Sequence, residues 1–253
     1  MSGHSKWASI KHKKGKEDAK RGQLFSKLSK AIIIAAKEGG GNPSANLALQ
    51  NAIEKAKSYS MPNDNIDRAI KRGTGELGGA ILEQVIYEGY AVNGVALMVD
   101  VLTDNRNRTA ADVRRIFGRG GGNLGTSGSV AWMFDKKGII IVNKEAGVEE
   151  DDLLEVALES GATDVQPQDD HFEVITEPTD FRAVLTAIQE AGIATASAEV
   201  TMLPKDTVKL DSKETAKKVL KLMDLLEDYE DVQEVYANFD IPDEVLEELS
   251  EEA

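Results

Sequence analysis

Hydrophobic periodicity changes once along this chain of 253 residues, at the glycine-rich segment 73–79. Before this segment, apolar residues recur at the three- and four-residue spacing of helices over 17–37, over about 46–59, and again after Met61-Pro62. After it, alternating strand patterns are interleaved with helical ones. The chain is therefore expected to begin with an all-helical domain and to continue as a mixture of strands and helices.

The region after the linker begins with two expected strands at 85–90 and 95–103, a helix at 107–118 and a strand at 129–134. Thr109 and Asp112 have the spacing of a capping box near the start of that helix. Residues 138–201 then follow the order strand, helix, strand, strand, helix, strand, which is the split βαβ arrangement of ferredoxin-like folds.

The last expected elements are a strand at 207–210, a helix at 213–228 and a strand at 232–237, which we expect to complete the sheet begun at 85–134. The expected fold class is α+β, with an all-α N-terminal helical domain followed by two α/β sandwich-like domains, one ferredoxin-like and inserted in the other. The expected boundaries are 1–78 for the basic helical domain, 79–135 plus 204–240 for the discontinuous α+β domain, 136–203 for the inserted domain and 241–253 for an acidic C-terminal tail.

Charge is distributed very unevenly along the chain, whose formal net charge is −14. Residues 1–72 hold 15 Lys+Arg and 6 Asp+Glu, a net of +9, whereas residues 73–253 hold 15 Lys+Arg and 38 Asp+Glu, a net of −23. Such asymmetry indicates that the basic part interacts with nucleic acid or another anionic surface. The alternative is an ordinary variation of charge between domains.

Several classes of function find no support in the composition. The chain has no cysteine, which fits a reducing cytoplasm, and its longest aliphatic runs are far too short to cross a membrane. The first residues lack the apolar stretch of a signal peptide. The three histidines, His4, His12 and His171, have no partner at metal-ligand spacing, so no metal is expected. No cofactor and no small-molecule substrate are expected either.

The strongest local signal is a basic arm at the N-terminus, residues 1–16. Its lysines can neutralise phosphates and give salt-dependent affinity without sequence choice; they are Lys6, Lys11, Lys13, Lys14 and Lys16. Trp7 either stacks on an unpaired base or anchors the arm on the protein itself, and the sequence leaves both open. The expected helix that follows continues the basic character, with Lys20, Lys27, Lys30 and Lys37 on one arc beside its apolar face.

A second basic cluster surrounds Asp104-Asn105-Arg106-Asn107-Arg108-Thr109, at a strand-to-helix junction. Two arginines on a short loop at a helix start form a good anion site, but Arg106 and Arg108 can equally pair with local acids such as Asp104 and Asp112. The nearby run Gly120-Gly121-Gly122-Asn123-Leu124-Gly125 matches a dinucleotide fingerprint only as a string, because a helix precedes it. It is either a helix-to-strand turn or a phosphate-contacting loop.

Long motifs along the chain resemble those of the YebC family. The N-terminal motifs are Gly3-His4-Ser5-Lys6-Trp7, Lys11-His12-Lys13, Asp18-Ala19-Lys20-Arg21-Gly22 and Phe25-Ser26-Lys27. Further motifs are Tyr87-Glu88-Gly89-Tyr90, Thr103-Asp104-Asn105-Arg106-Asn107-Arg108-Thr109 and Asp231-Val232-Gln233-Glu234-Val235-Tyr236. Gln50 departs from the family pattern, which often has a cation there, so a contact at that position is in doubt.

The resemblance implies a three-domain cytoplasmic protein without catalytic activity. It adds His4, His12, Lys20 and Arg21, together with Arg106 and Arg108, to the candidate nucleic-acid contacts of the arm. Members of the family are described either as DNA-binding transcriptional regulators or as translational activators that act on the ribosome and help proline runs and other difficult peptides to be made. The expected partner is therefore a nucleic acid, either ribosomal RNA or duplex DNA.

Three functions remain to be weighed. The sequence favours a ribosome-associated, RNA-binding translation factor, because its cations are mostly lysines on an arm rather than an Arg/Asn/Gln face that reads bases. The alternative is a transcriptional regulator that binds duplex DNA, in which the arm enters the minor groove. An enzyme using the glycine-rich loop is disfavoured, since no acid, base, nucleophile and metal stand in a recognisable arrangement.

Overall fold

The structure is a computed structural model that describes residues 17–78, 81–144, 147–168 and 170–251, with the backbone alone described at 17–20, 243, 247, 250 and 251. These residues separate into two compact units, one formed by residues 132–207 and the other by the described residues on either side. No helix in the described ranges is both long and apolar enough to cross a membrane.

The helices and strands alternate after residue 80, as the sequence predicts. The helices are α1 (Glu17–Gly39), α2 (Leu47–Ser58), α3 (Asn63–Gly73), α4 (Arg106–Arg119), α5 (Glu150–Glu159), α6 (Phe181–Glu190), α7 (Lys213–Glu227) and α8 (Asp243–Glu251). The strands are β1 (Glu83–Tyr90), β2 (Ala96–Thr103), β3 (Asn123–Leu124), β4 (Phe134–Asn143), β5 (Asp164–Pro167), β6 (His171–Thr176), β7 (Ser197–Pro204), β8 (Val208–Lys209), β9 (Val232–Ala237) and β10 (Phe239–Asp240).

The three N-terminal helices share one core, to which Ile32, Leu49 and Ile66 contribute. The side chain of Asn46 joins two of these helices. Its oxygen accepts a hydrogen bond from the Leu49 amide at 3.1 Å and so caps α2, while its NH₂ group donates to the Ala35 carbonyl of α1 at 2.7 Å. The three helices predicted from apolar spacing before residue 73 are confirmed.

Beside the helical domain, the same unit contains an antiparallel sheet with strand order β3-β1-β2-β9. Val99 of β2 pairs with Tyr87 of β1 on one side and Val235 of β9 on the other. Helices α4 and α7 contribute Phe117 and Leu222 to the core that Val99 also enters. The expectation that the elements after Pro204 complete the sheet begun near residue 85 is confirmed for β9, which pairs with β2. It was wrong for the strand expected at 207–210, because β8 pairs with β10 in a separate two-stranded sheet.

Helix α4 is capped differently from the sequence prediction. Asn105 is its N-cap and accepts a hydrogen bond from the Arg108 amide at 3.1 Å. Thr109 lies inside the helix with its side chain fully buried, and its hydroxyl donates to Asp231 at 2.8 Å. The capping-box interpretation of Thr109 and Asp112 was wrong, because Asn105 is the N-cap and Thr109 lies inside the helix, where its hydroxyl bonds to Asp231 and to the Asn105 carbonyl.

The strand expected at 129–134 was also wrong. Strand β4 begins only at Phe134, and the residues before it form a loop and a short 3-10 turn. The amides of Gly128, Val130 and Ala131 donate to the carboxylate of Glu88 at 2.6, 2.7 and 2.8 Å, instead of to a neighbouring strand. A single buried acid thus sets the conformation of this loop.

Residues 132–207 form the ferredoxin-like unit. Its antiparallel sheet has strand order β5-β6-β4-β7, and helices α5 and α6 follow β4 and β6 along the chain. Ile140, Leu153, Val174 and Ile188 join its strands and helices in one core. The predicted strand and helix order and the split βαβ arrangement are confirmed.

The acidic C-terminal segment packs in part on the sheet β3-β1-β2-β9 and its helices, within the same unit. Strands β8 and β10 pair in parallel, and α8 follows them. Ile241 and Val245 belong to the same core as Phe117 and Leu222, with Leu249 packed against it. Part of the segment expected to be an acidic C-terminal tail therefore contributes apolar side chains to the core.

Candidate nucleic-acid interface

Most of the predicted arm contacts lie outside the described residues. These are His4, Lys6, Trp7, Lys11, His12, Lys13, Lys14 and Lys16. The backbone of Lys20 is in α1, and nothing is described of its side chain. Arg21 follows it in α1, is exposed, and its guanidinium carbon lies 5.5 Å from the centre of the Phe25 ring. That cation–π contact holds Arg21 beside the apolar face while leaving it accessible to an anion.

The lysine arc of α1 is directed at the sheet-bearing part of the same unit. Lys27 donates to the Glu227 carbonyl at 2.5 Å, and Lys37 donates to the Leu82 carbonyl at 3.1 Å. Lys30 donates to the Glu230 carbonyl at 3.1 Å and to Asp231 Oδ1 at 2.6 Å. Lys27 and Lys30 therefore hold α1 against the end of α7 and the start of β9, and Lys37 holds it against the residue before β1. A contact of Lys27 with nucleic acid stays a prediction.

Asp231 is the centre of this contact, with its side chain only 2% exposed. Besides Lys30, its carboxylate accepts hydrogen bonds from the Thr109 hydroxyl at 2.8 Å and from Arg108 at 2.9 Å, and lies 3.2 Å from the Thr103 hydroxyl. The groups come from α1, from α4 and from the end of β2. One carboxylate therefore links the helical domain to the sheet and to the start of α4.

Burial raises the pKa of Asp231, but the hydrogen bonds from Lys30 and Arg108 outweigh it and lower the pKa to about 2. The same bond to Asp231 raises the pKa of Arg108. A carboxylate that accepts several charged hydrogen bonds stays ionised, and its charge is compensated by its partners. Asp231 was missed by the sequence reasoning as a structural residue, although it stands in one of the family motifs.

The two arginines of the second basic cluster differ in their surroundings. Arg108 also pairs with Asp104 at 3.0 Å, so its guanidinium has two carboxylate partners. Arg106 is exposed and, within the described part of the chain, its side chain has no ion-pair partner. Arg106 is thus left for an external anion, whereas Arg108 forms ion pairs within the protein. The sequence had left both possibilities open for each of them.

The glycine-rich run after α4 is a helix-ending turn. The amides of Gly120 and Gly122 donate to the carbonyls of Ile116 and Phe117, at 2.9 and 2.8 Å. A Cβ at Gly122 would lie 2.7 Å from the Tyr90 carbonyl oxygen and 2.8 Å from Leu222. The glycines therefore permit close packing of the turn on β1 and α7, and these two amides are not available to cradle a phosphate.

His171 is held by acids of its own chain. Its Nδ1 lies 2.6 Å from Asp170 and its Nε2 lies 3.5 Å from Glu173. No group of three or more His, Cys, Asp or Glu residues that could hold a metal ion occurs in the ranges that the structure describes.

Helix α3 adds cations that the sequence reasoning did not single out. Arg68, Lys71 and Arg72 are exposed and lie at the three- and four-residue spacing that places them on one face. Their signal was present in the spacing, but the arm and the lysine arc dominated the interpretation.

Known proteins of one family match this chain over nearly its whole length. Residues 5–76 match the family model described as the TACO1/YebC protein N-terminal domain, and residues 82–239 match that of the TACO1/YebC second and third domain. A probable transcriptional regulatory protein of Halothermothrix orenii is 58% identical over 253 residues and covers 100% of both chains. Another from Thermoanaerobacter pseudethanolicus is 59% identical over 244 residues, covering 96% of this chain and 99% of its own.

A crystal structure of a conserved hypothetical protein from Aquifex aeolicus has the same fold. It matches with a TM-score of 0.78 at 50% sequence identity and covers 89% of this chain and 92% of that one. The matches extend from the helical domain through the sheet-bearing domains and confirm the resemblance seen in the motifs. This chain belongs to the TACO1/YebC family.

Proposed function

We propose that this protein is a non-enzymatic, cytoplasmic regulator of gene expression that binds ribosomal RNA and acts on the ribosome to help difficult peptides to be made. The observation that carries the proposal is the charge polarity, +9 over residues 1–72 against −23 over the rest. A polyanion is attracted to the first part and repelled by the remainder, so the charge selects which end of the chain meets it.

The contacts begin with the arm and continue onto the helical domain. The arm supplies His4, Lys6, Lys11, His12, Lys13, Lys14 and Lys16 as phosphate contacts, with Trp7 for stacking. Lys20 and Arg21 extend this set onto α1, and Arg106 adds an exposed cation at the start of α4. Lys27 and Arg108 remain in the proposed set, although each already bonds to the protein.

No catalytic role, cofactor, small-molecule substrate or membrane is part of this proposal. Glu88 and Asp231 are buried carboxylates, a kind of group that can carry chemistry. Burial raises the pKa of Glu88, yet three backbone amides outweigh it and lower the pKa. Both acids are saturated by hydrogen bonds from their own chain, which supports structural roles.

Duplex-DNA binding by a transcriptional regulator is the second candidate. One observation favours it: α2 and α3 are joined by only four residues, 59–62, and α3 carries the exposed face of Arg68, Lys71 and Arg72. Helix-turn-helix motifs join their helices by about three to four residues and place the second helix in the major groove. The two relatives compared above are named probable transcriptional regulatory proteins.

The arm is tested by reversing three of its charges in the full chain, Lys11→Glu with Lys13→Glu and Lys14→Glu. We expect affinity for a labelled structured RNA, measured by fluorescence anisotropy, to fall by about 100-fold or more, and the salt dependence to become flatter by about 2 to 3 phosphate contacts. Unchanged affinity would refute the role of the arm.

The matched control carries the same charge change in the ferredoxin-like unit, Lys136→Glu with Lys137→Glu and Lys205→Glu. Its surface ion pairs contribute little to stability, so the fold is retained. We expect this control to lose much less affinity than the arm variant. Equal losses in both would show that overall charge, rather than the arm, determines binding. A preference for duplex DNA of the same sequence would favour the transcriptional candidate.

A further inference from the structure

Two cationic segments without acids occur inside the otherwise acidic part of the chain. Residues 113–134 contain three arginines and no Asp or Glu, and residues 215–223 contain three lysines and no Asp or Glu. The region in which they lie, residues 73–253, has a net charge of −23. Two segments that exclude acids in such a region indicate a local requirement for positive charge.

The two segments are neighbours in space, since the first contains the end of α4 and the second lies in α7. A Cβ on Gly120, which follows α4, would meet Leu222 Cδ1 of α7 at 2.5 Å. At the other end of the pair, the Tyr229 hydroxyl that follows α7 donates to Asp112 of α4 at 2.9 Å. The end of α4 thus lies at the middle of α7, and the helices run antiparallel.

Helical spacing places the cations of α4 and α7 along the solvent-exposed edge of the contact between these two helices. Arg115 and Arg119 lie one and two turns after Asp112, close to the side of α4 that carries Asp112. On α7, Lys218 lies one turn before Leu222, with Lys217 and Lys221 outward of it. All five of these cationic residues are exposed.

Four of these cations, Arg115, Arg119, Lys218 and Lys221, are available to an external anion. Arg119 and Lys221 have no ion-pair partner among the residues that the structure describes. Arg115 pairs with Asp112 at 2.7 Å and Lys218 pairs with Glu214 at 2.7 Å, both at the surface. Exposed pairs of this kind are weak, so a phosphate can compete for the cation.

We propose that Arg115, Arg119, Lys217, Lys218 and Lys221 form a second binding surface, separate from the arm, for the phosphodiester backbone of a nucleic acid. The inference rests on the proposed function and extends it. A chain anchored by the arm on one segment of RNA is held by this surface on another, so the two contacts fix the orientation of the sheet-bearing domain on a structured ligand. The turn at 120–122 consists of glycines, so no side chain there obstructs the backbone of the ligand.

The test is the variant Arg115→Gln with Arg119→Gln and Lys221→Gln, in the full chain. These side chains are exposed and Gln is a good helix former, so the fold should be kept, which circular dichroism and thermal unfolding check. We expect affinity for a fluorescein-labelled duplex RNA to fall by about 10-fold and the salt slope by about 2 to 3. A parallel titration with duplex DNA of the same sequence shows which nucleic acid the surface serves.

A comparison of two single substitutions, Arg119→Gln and Arg114→Gln, tests on which side of α4 the surface lies. Arg114 lies in the same helix as Arg119 and is also exposed, but it is about 140° away around the helix and on the side remote from α7. We expect Arg119→Gln to weaken binding more than Arg114→Gln. Equal effects of these two changes, or unaltered affinity in the triple variant, would overturn the second surface.

The arm variant separates the two proposals. If charge reversal at Lys11, Lys13 and Lys14 abolishes binding while the α4 and α7 variant binds normally, the second surface is refuted and the proposed function stands. If the unmodified chain binds neither duplex, both proposals fail.

Discussion

At the scale of single residues, Asp231 determines how the helical domain is joined to the rest of its unit. Its carboxylate bonds to Lys30, which lies 201 positions away in the chain, and to Thr103, Arg108 and Thr109. Replacing it with asparagine keeps the shape but removes the charge that compensates the two cations.

We predict that Asp231→Asn lowers the free energy of unfolding by about 2 kcal/mol. Folding lowers the pKa of Asp231 from 3.8 to about 2, and each pKa unit corresponds to about 1.4 kcal/mol. Urea unfolding of the full chain measures this. Asp228→Asn, an exposed acid three residues earlier, is the matched control and should change stability by less than about 0.5 kcal/mol. Equal effects of both changes would contradict the role of Asp231.

The same substitution has a pH signature. The pKa of Asp231 is lowered by folding, so its contribution to stability is complete above the unfolded value near 3.8 and is lost as pH falls through about 2. The stability difference between the original chain and Asp231→Asn should therefore be constant from neutral pH to about pH 5 and shrink below about pH 4. A difference that instead varies between pH 6 and 8 would point to another titrating group.

Sequence reasoning could not have found this residue's role. Asp231 stands alone between a helix and a strand, and its partners occur at positions 30, 103, 108 and 109. Periodicity reports neighbours three, four or two residues apart, but not a contact that the tertiary fold makes. For the same reason the hydroxyl of Thr109 was assigned to a cap near it in sequence.

At the scale of elements, the turn after α4 depends on the absence of side chains. We predict that Gly122→Ala destabilises the protein by about 1 to 3 kcal/mol, because the added methyl meets the Tyr90 carbonyl oxygen at 2.7 Å and Leu222 at 2.8 Å. Thermal or urea unfolding checks this. Gly118→Ala is the control, since nothing lies within 4 Å of its Cβ and alanine favours a helix, so stability should be unchanged or slightly raised. A fully stable Gly122→Ala variant would show that the turn can widen without cost.

Most helices and strands followed from apolar spacing, which is a local property of each element. The order of elements over 138–201 and the return of 232–237 to the first sheet are examples. The strand expected at 129–134 failed because the amides of that segment bond to Glu88, about 40 residues earlier in the chain. The lysine arc of α1 was recognised correctly as a face, but its partner on the protein was not visible in the sequence.

At the scale of the whole molecule, a basic helical domain and arm are carried by an acidic remainder. The acidic part should repel nucleic acid except at the surface of α4 and α7, so that the ligand is met by defined regions rather than by the entire protein. Charge distribution was readable from the sequence alone, whereas the intramolecular use of Lys27, Lys30 and Arg108 required the structure.

The central claim, that the protein acts on the ribosome, is tested most directly by co-sedimentation of the purified full chain with ribosomes near physiological salt and in excess duplex DNA. We predict that the protein pellets with ribosomes despite the DNA, and that the triple arm variant, Lys11→Glu with Lys13→Glu and Lys14→Glu, stays in the supernatant. Retention of the unmodified protein by the DNA, with none in the ribosome pellet, would contradict the translation role and favour a transcriptional regulator.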